Sequence, residues 1–326
     1  MENKSINWAI LGTGVVANEM AKAIKNSGKE IYSVGNRTYS KAVDFANKYG
    51  IKKIYQKIDD MFDDENVDVI YITTPHNTHI DFIRKALANG KHILCEKSIV
   101  LNSNELNESI ALAEANNLKL AEAMTIYHMP LYKKLKDFVL SGKLGPLQMI
   151  QINFGSYKEY DMTNRFFNKE LAGGALLDIG VYAISLARYF MSKKPNNILS
   201  QVKYAPSGVD EQAGILLMNE NSEMATISLT LHGKQPKRAN IIYEKGYIEI
   251  MEYPRANKAK IYYTEENKFE EINIGNTSDA LYYEMEDMEK AINNIEDVMN
   301  LQYTKDVIDI MTEIRKNWNM YYNSEL

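Results

Sequence analysis

At 326 residues, 45% hydrophobic and 25% charged, the chain is long enough for two domains with full cores, at roughly 100–200 residues per domain. A formal net charge of −5, with neither half basic, argues against nucleic acid as a partner, and the lack of an uninterrupted apolar run of roughly 18 residues argues against a membrane span. The single cysteine, Cys95, excludes an internal disulfide, and an apolar strand pattern follows Met1-Glu2-Asn3-Lys4 with no secretory leader, so a cytoplasmic protein is expected.

Short apolar runs then alternate with helical periodicity. Trp8–Leu11, Ile31–Val34, Val69–Ile72, His92–Cys95 and Leu118–Ala121 read as strands, and Glu19–Lys25, Ser40–Tyr49, Asp81–Ala88 and Asn104–Ala115 as helices between them. This spacing predicts parallel βαβ units over residues 1–122. Gly50 and Gly90 sit where helix C-caps are expected. Beyond Glu122 the pattern changes. A helix is predicted on Leu131, Leu135 and Phe138, a strand on Ile150, Ile152 and Phe154, and a second helix through Ile179, Tyr182, Leu186 and Tyr189. Alternation at Ala225, Ile227, Leu229 and Leu231, a hairpin turning at Glu244-Lys245-Gly246, and runs at Lys260–Tyr263 and Phe269–Ile274 predict an antiparallel sheet. Closing helices fall on Leu281, Met285, Met288 and Ile292 and on Val307, Met311, Ile314 and Trp318. Residues 123–326 are therefore expected to form an α+β domain. Its helices can cover one sheet face, leaving the other, with residues such as Tyr243 or Tyr247, to meet a second copy.

Gly12-Thr13-Gly14-Val15-Val16-Ala17 follows the first strand and opens the first helix, which is the context that gives a dinucleotide fingerprint its meaning. Gly12 permits the tight turn, Gly14 lets the backbone approach a pyrophosphate, and Ala17 lets helix and strand pack closely. The free N–H groups at the helix start then face the phosphates. The end of the second strand normally carries an acid for the ribose 2′-hydroxyl of NAD; here it carries Asn36 and Arg37. A guanidinium suits a 2′-phosphate, so NADP is expected, with NAD as the alternative.

Three further motifs, in consistent order after the fingerprint, resemble one family. Thr73-Thr74-Pro75-His76-Asn77-Thr78-His79 is similar to its loop after the fourth strand, and Cys95-Glu96-Lys97-Ser98 to its Glu-Lys-Pro motif. Arg165 and then Gly173–Tyr182 resemble its substrate-domain signature. The family is that of glucose–fructose oxidoreductase, inositol dehydrogenase and MocA. Leu120–Met124, Gly174–Tyr182 and Gly208-Val209-Asp210 bring the chain nearest its NADP-dependent dihydrodiol and D-xylose dehydrogenase branch. The resemblance implies a doubly wound Rossmann domain followed by a domain with a large, mostly antiparallel sheet, a homodimer or homotetramer, and no metal. It implies hydride transfer between a nicotinamide and the hydroxyl or carbonyl carbon of a sugar, polyol or diol. Ser98 departs from the family's proline and relaxes the backbone limit on Lys97.

Within that frame the cofactor is expected to touch Gly12, Thr13, Gly14, Val15, Val16, Asn36, Arg37, Thr74, Pro75, Asn77, His79, Glu96 and Lys97. Lys97 follows a strand at its carboxyl end, where α/β sheets bind ligands. A lysine partly buried beside a cationic nicotinamide suits proton transfer, and Lys97 is the expected acid–base group. Asp178 and Tyr182, four apart, are expected on one helix face as further catalytic and substrate-binding groups, with Arg165 beside the substrate. His76 and His79 lack the cysteine or third ligand of a zinc site. A catalytically silent NADP-binding sensor and an NAD-dependent glycosidase are the competing functions, separated by whether a polyol or carbonyl panel changes nicotinamide absorbance and by release of an aglycone.

Overall fold

Four-residue runs without a charged member, such as Trp8–Leu11 and Val69–Ile72, are fully buried, as strands of a parallel sheet covered on both faces must be. The computed structural model describes residues 6–265 and 268–325; Met1-Glu2-Asn3-Lys4, on which the leader expectation rested, lie outside the described residues. The chain divides into two compact units, one running to Val100 and taking Asn104–Met124 and Ser278–Leu301, the other holding Leu101–Ser103, Thr125–Thr277 and the chain from Gln302.

Among the described residues, the first unit's strands are β1 (Trp8–Leu11), β2 (Ser33–Gly35), β3 (Lys53–Tyr55), β4 (Val69–Ile72), β5 (His92–Glu96) and β6 (Leu120–Ala123). They pair in parallel in the order β3-β2-β1-β4-β5-β6, the doubly wound order whose ligand crevice lies at the carboxyl ends near β1 and β4. Gly50 caps the helix Tyr39–Tyr49 in the left-handed conformation, as expected. The helix Ala280–Ile292 belongs to this unit although it follows the second sheet in sequence: it buries Leu281, Met285 and Met288, and Glu289 accepts from Trp8 Nε1 at 3.1 Å and pairs with Lys29 at 2.5 Å.

In the second unit, β7 (Leu147–Gly155), β8 (Asn197–Tyr204), β9 (Asp210–Met218), β10 (Met224–Thr230), β11 (Gln235–Tyr243), β12 (Gly246–Met251), β13 (Lys258–Tyr263) and β14 (Phe269–Asn273) form one sheet in the order β14-β13-β12-β11-β7-β10-β9-β8. All its pairs are antiparallel except β7 with β10. Ile150, Ile152, Ile227, Leu229, Ile241, Ile248 and Ile250 face the core, and the helix Val181–Phe190 packs on β7 and β10. The stretch Lys169–Phe190 reaches the length and mean hydropathy, 1.4, of a membrane span, but 83% of that window is buried inside the protein, which makes it a core element.

Tyr243 corrects one expectation. It pairs with Gly246 on the core side and is 4% exposed, whereas Tyr247 opposes Ile242 on the other face and is 37% exposed. Tyr247 stacks on Tyr262 at 4.6 Å, and Tyr262 meets the exposed Phe269 at 5.6 Å. The open face therefore carries Tyr247, Tyr262 and Phe269, without Tyr243.

Candidate active site

The turn after β1 is built by main chain. Gly12 has φ of +107°, and a Cβ there would lie 2.5 Å from Thr73 Oγ1 and 3.0 Å from Thr73 O, so glycine is required both by conformation and by the approach of β4's outgoing loop. Gly14 is exposed, and a Cβ added to it would meet nothing within 4 Å. It is the N-cap of the helix Val15–Asn26, whose first amides receive no side-chain cap. Uncapped amides beside an open glycine are what a pyrophosphate would fill. Ala17 is fully buried, Val16 is half-buried and Val15 points outward. Asn36 Nδ2 donates to Thr13 Oγ1 at 2.7 Å, while its Oδ1 accepts from Thr38 N at 2.8 Å. The amide thus fastens the end of β2 to the fingerprint turn, and the neighbouring Arg37 is exposed.

Histidines join the loop after β4 to the segment after β5. His79 is fully buried, with Nε2 on Thr74 O at 2.8 Å and Nδ1 on Ser98 O and Ile99 O at 3.0 and 3.2 Å. Burial lowers its pKa, against the carbonyl contacts that raise it. His76 Nε2 contacts Lys97 O at 3.1 Å. Thr78 Oγ1 donates to Thr74 Oγ1 at 2.8 Å, and Pro75 leads the loop outward. The Asn77 Oδ1 is buried and accepts no hydrogen bond from any described residue, so it is free to receive a ligand hydroxyl. Tyr71 donates to Glu96, the last residue of β5, and half-buried Lys97 comes next; the Lys97–Ser98 peptide is cis. Buried Glu122 accepts from Ile99 N at 3.1 Å and fixes the far side of this segment. Cys95 is buried, and burial pushes its thiol up, which makes it a core residue.

The second unit brings Arg165 and Asp178 together: Arg165 Nη2 lies 3.7 Å from Asp178 Oδ1, with the guanidinium side chain 60% exposed and the carboxylate 11%. Arg165 also lies over the Phe166 ring at 4.3 Å. Asp178 sits in a π-helical turn, Leu176–Gly180, and Tyr182 in the first turn of the α-helix Val181–Phe190. The four-residue spacing therefore spans a change of helical pitch and not one uniform face. Tyr182 is half-buried, its ring 6.2 Å from that of Phe154 at the end of β7. Asp210, absent from the sequence-derived site, accepts from Leu176 N at 2.6 Å beneath the turn. Among the described residues no group of three His, Cys, Asp or Glu side chains is placed to hold a metal.

Known proteins place this architecture. Residues 6–124 match the oxidoreductase family with the NAD-binding Rossmann fold, GFO/IDH/MocA, and residues 132–249 match the GFO/IDH/MocA C-terminal domain. The trans-1,2-dihydrobenzene-1,2-diol dehydrogenase of Xenopus laevis is 29% identical over 328 residues, covering 97% of this chain and 98% of the relative. That of Xenopus tropicalis is 31% identical over 247 residues, 74% of each. The crystal structure of a 3-ketoreductase from Actinomadura kijaniata in complex with NADP and TDP-benzene superposes with a TM-score of 0.86 over 96% of this chain and 98% of that one, at 17% identity, a likeness of fold.

Proposed function

This chain belongs to the GFO/IDH/MocA oxidoreductase family, and on that premise we propose that it is an NADP-dependent dehydrogenase of a small diol, sugar or polyol. The observation that carries the reading is the uncapped helix start beside the open Gly14, on the sheet whose fifth strand ends at Glu96 and Lys97. In this assignment residues 1–122 bind the cofactor and residues 123–326 bind the substrate. The amides of Thr13, Gly14, Val15 and Val16 hold the pyrophosphate, and Arg37 meets the 2′-phosphate. Asn36 acts by fixing Thr13, and His79 by fixing the carbonyls of Thr74 and Ser98. Asn77 Oδ1 accepts a ribose hydroxyl, beside Thr74, Pro75 and Glu96.

When bound, a nicotinamide would supply the hydride acceptor or donor for the carbon that bears the hydroxyl. Lys97 takes the hydroxyl proton during oxidation and returns it during reduction. Asp178, oriented by Arg165, accepts from a neighbouring substrate hydroxyl, and Tyr182 donates to or accepts from the reacting oxygen. Two hydroxyl-binding groups together favour a vicinal diol or sugar over a simple alcohol.

The deciding experiment incubates the protein with NADP and a panel holding trans-1,2-dihydrobenzene-1,2-diol, aldoses, inositols and dicarbonyls, following nicotinamide absorbance. Turnover of a diol or sugar, faster with NADP than with NAD, is expected. A change with none of the panel in either direction rejects the proposal. Two copies are proposed to meet through the face carrying Tyr247, Tyr262 and Phe269, in a dimer or a tetramer built from it. Sedimentation at micromolar concentration should show no monomer, and a monomer there ends that part of the reading. A reducing, cytoplasmic location is proposed from the single buried thiol.

A further inference from the structure

The segment that carries Asp178 and Tyr182 begins at the pair Gly173-Gly174, and this pair is held by Asp210 and by a group from the far end of the chain. Tyr322, 1% exposed, donates its hydroxyl to Gly173 O at 2.7 Å. Gly174 has φ of +124°, and a Cβ there would lie 2.1 Å from Asp210 Oδ1 and 3.4 Å from Tyr322 Oη. Two side chains thus close on a backbone that only glycine leaves open to them. Asp210 anchors the next step by accepting from Leu176 N at 2.6 Å.

Tyr322 is itself held. Arg315, 2% exposed, forks Nη1 and Nη2 onto Glu325 Oε2 and Oε1 at 2.6 and 2.8 Å. Glu325 Oε2 accepts from Tyr322 N at 2.9 Å, and Asn102 Nδ2 donates to Oε1 at 2.9 Å. The guanidinium lies 4.9 Å from the Tyr322 ring centre and donates to Leu101 O. Asn323 adds a bond to Glu170, just before the glycine pair. A buried ion pair adds little net stability over an apolar replacement, but its bidentate fork orients both partners. Here that arrangement sets the height and direction of the Tyr322 hydroxyl.

We infer that the C-terminal turn from Tyr322 to Glu325, clamped by Arg315, is a positioning latch that holds the Gly173-Gly174 corner and so fixes where Asp178 and Tyr182 stand. The inference rests on the proposed role of those two residues at the substrate. None of the latch residues is a catalytic residue; each acts through the backbone at 173–176.

Tyr322→Phe in the full chain removes one hydroxyl and no bulk. Leaving the Gly173 carbonyl buried and unpaired should speed amide exchange over residues 172–182 by about tenfold and raise KM for the best diol or sugar of the panel by a similar factor. NADP affinity should stay within about twofold. Glu325→Gln keeps shape and acceptor and should show a smaller effect than Glu325→Ala. Tyr321→Phe, on an exposed neighbour, should change neither exchange nor KM. Unchanged exchange at 172–182 in Tyr322→Phe overturns the latch, whatever the activity. Faster exchange with unchanged KM, in an enzyme where Tyr182→Phe does raise KM, overturns its positioning role. If Tyr182→Phe and Asp178→Asn both leave turnover and KM intact, the substrate assignment fails first, and the positioning role falls with it.

Discussion

The candidate groups of the first unit are mainly backbone; those of the second are side chains. Around Gly12 and Gly14 the groups turned outward are amides at a helix start, and the segment after β5 is held through the carbonyls of Lys97, Ser98 and Ile99. In the second unit the groups on offer are the guanidinium of Arg165, the carboxylate of Asp178 and the phenol of Tyr182. Backbone amides are the same in every sequence, so such a site is constrained at a few glycines and tolerant elsewhere. Side chains carry the selection, and their placement depends on buried supports that can be far away in the chain. A cofactor shared by many enzymes suits the first construction, and a substrate particular to one suits the second.

Lys97, like Asn77 and Arg37, is a side-chain exception in the first unit, and on the proposed reading it gives the sharpest test of the contrast. Lys97→Met keeps the apolar stem and removes the charge and the proton. Turnover should fall by about 10²–10⁴-fold, the usual contribution of a positioned acid or base, with NADP affinity nearly unchanged. Steady-state kinetics beside a fluorescence titration of NADPH separates the two. Near-normal turnover would move the proton chemistry to another group.

Next in size is the support under the side-chain site. Burial pushes the carboxyl of Asp210 up to about 7, against the amides of Leu176 and Ala175 and the charge of Arg315, with Tyr322 and Tyr204 as the other titratable groups facing it. Its folded pKa lies above the unfolded one, so the folded state holds a proton that the unfolded chain releases between about pH 4 and 7. Stability from this group is therefore present at low pH and lost as pH rises through that window, on the order of 1 kcal/mol per pH unit. Asp210→Asn retains an acceptor for Leu176 N and cannot titrate. The urea midpoint of the native protein should fall relative to that of Asp210→Asn on going from about pH 4 to about pH 7; an unchanged difference would show that Asp210 does not titrate there.

The same contrast explains what could be read in the chain. The motifs around Gly12, Lys97, Asp178 and Tyr182 are local, and their elements follow from apolar periodicity. The strands β3 and β8 carry no readable apolar run, because β3 buries Tyr55 alone and β8 buries Ile198 alone. The strand β9 begins Asp210-Glu211-Gln212, which no apolar pattern would select. Amphipathicity showed that Ala280–Ile292 needs a sheet or core to cover, without showing which. The supporting roles of Asp210, legible in the sequence only as part of Gly208-Val209-Asp210, and of Tyr322 are hidden for another reason: they act on backbone 34 and 149 residues away, and no period links such partners.

Gly12→Ala probes the backbone construction directly. The new Cβ meets Thr73 at 2.5 Å, in a left-handed conformation that alanine rarely adopts. Strain of about 1–3 kcal/mol is expected, felt first as movement of the fingerprint turn away from β4. NADP and NAD affinities should fall together by about tenfold or more, because the damage is to amides that both would use. Gly14→Ala, where no atom lies within 4 Å, should leave the melting temperature unchanged and still weaken the cofactor, since the added methyl stands only where the pyrophosphate would. Equal cofactor affinity in Gly14→Ala and the native protein would remove the pyrophosphate from that turn.

Arg37 gives the smallest effect and the most selective one. It is exposed at the end of β2, beside Asn36, whose amide is already committed to Thr13 and Thr38. With Asn36 so occupied and no carboxylate in its place, the proposed reading leaves the guanidinium as the group at this strand end to tell a 2′-phosphate from a 2′-hydroxyl. The contact is charge-assisted but solvent-facing, so Arg37→Ala should weaken NADP by about tenfold, near the lower end for a hydrogen bond to a charged group. NAD, which has no phosphate there, should be little changed, in contrast to Gly12→Ala, which weakens both. The loss should also shrink as salt is raised, because the pair is screened within a Debye length of about 10 Å at 0.1 M. Comparing the two variants with both cofactors therefore separates a side chain that selects from a backbone that binds. Equal affinity of the native protein for NAD and NADP would take cofactor selection away from Arg37.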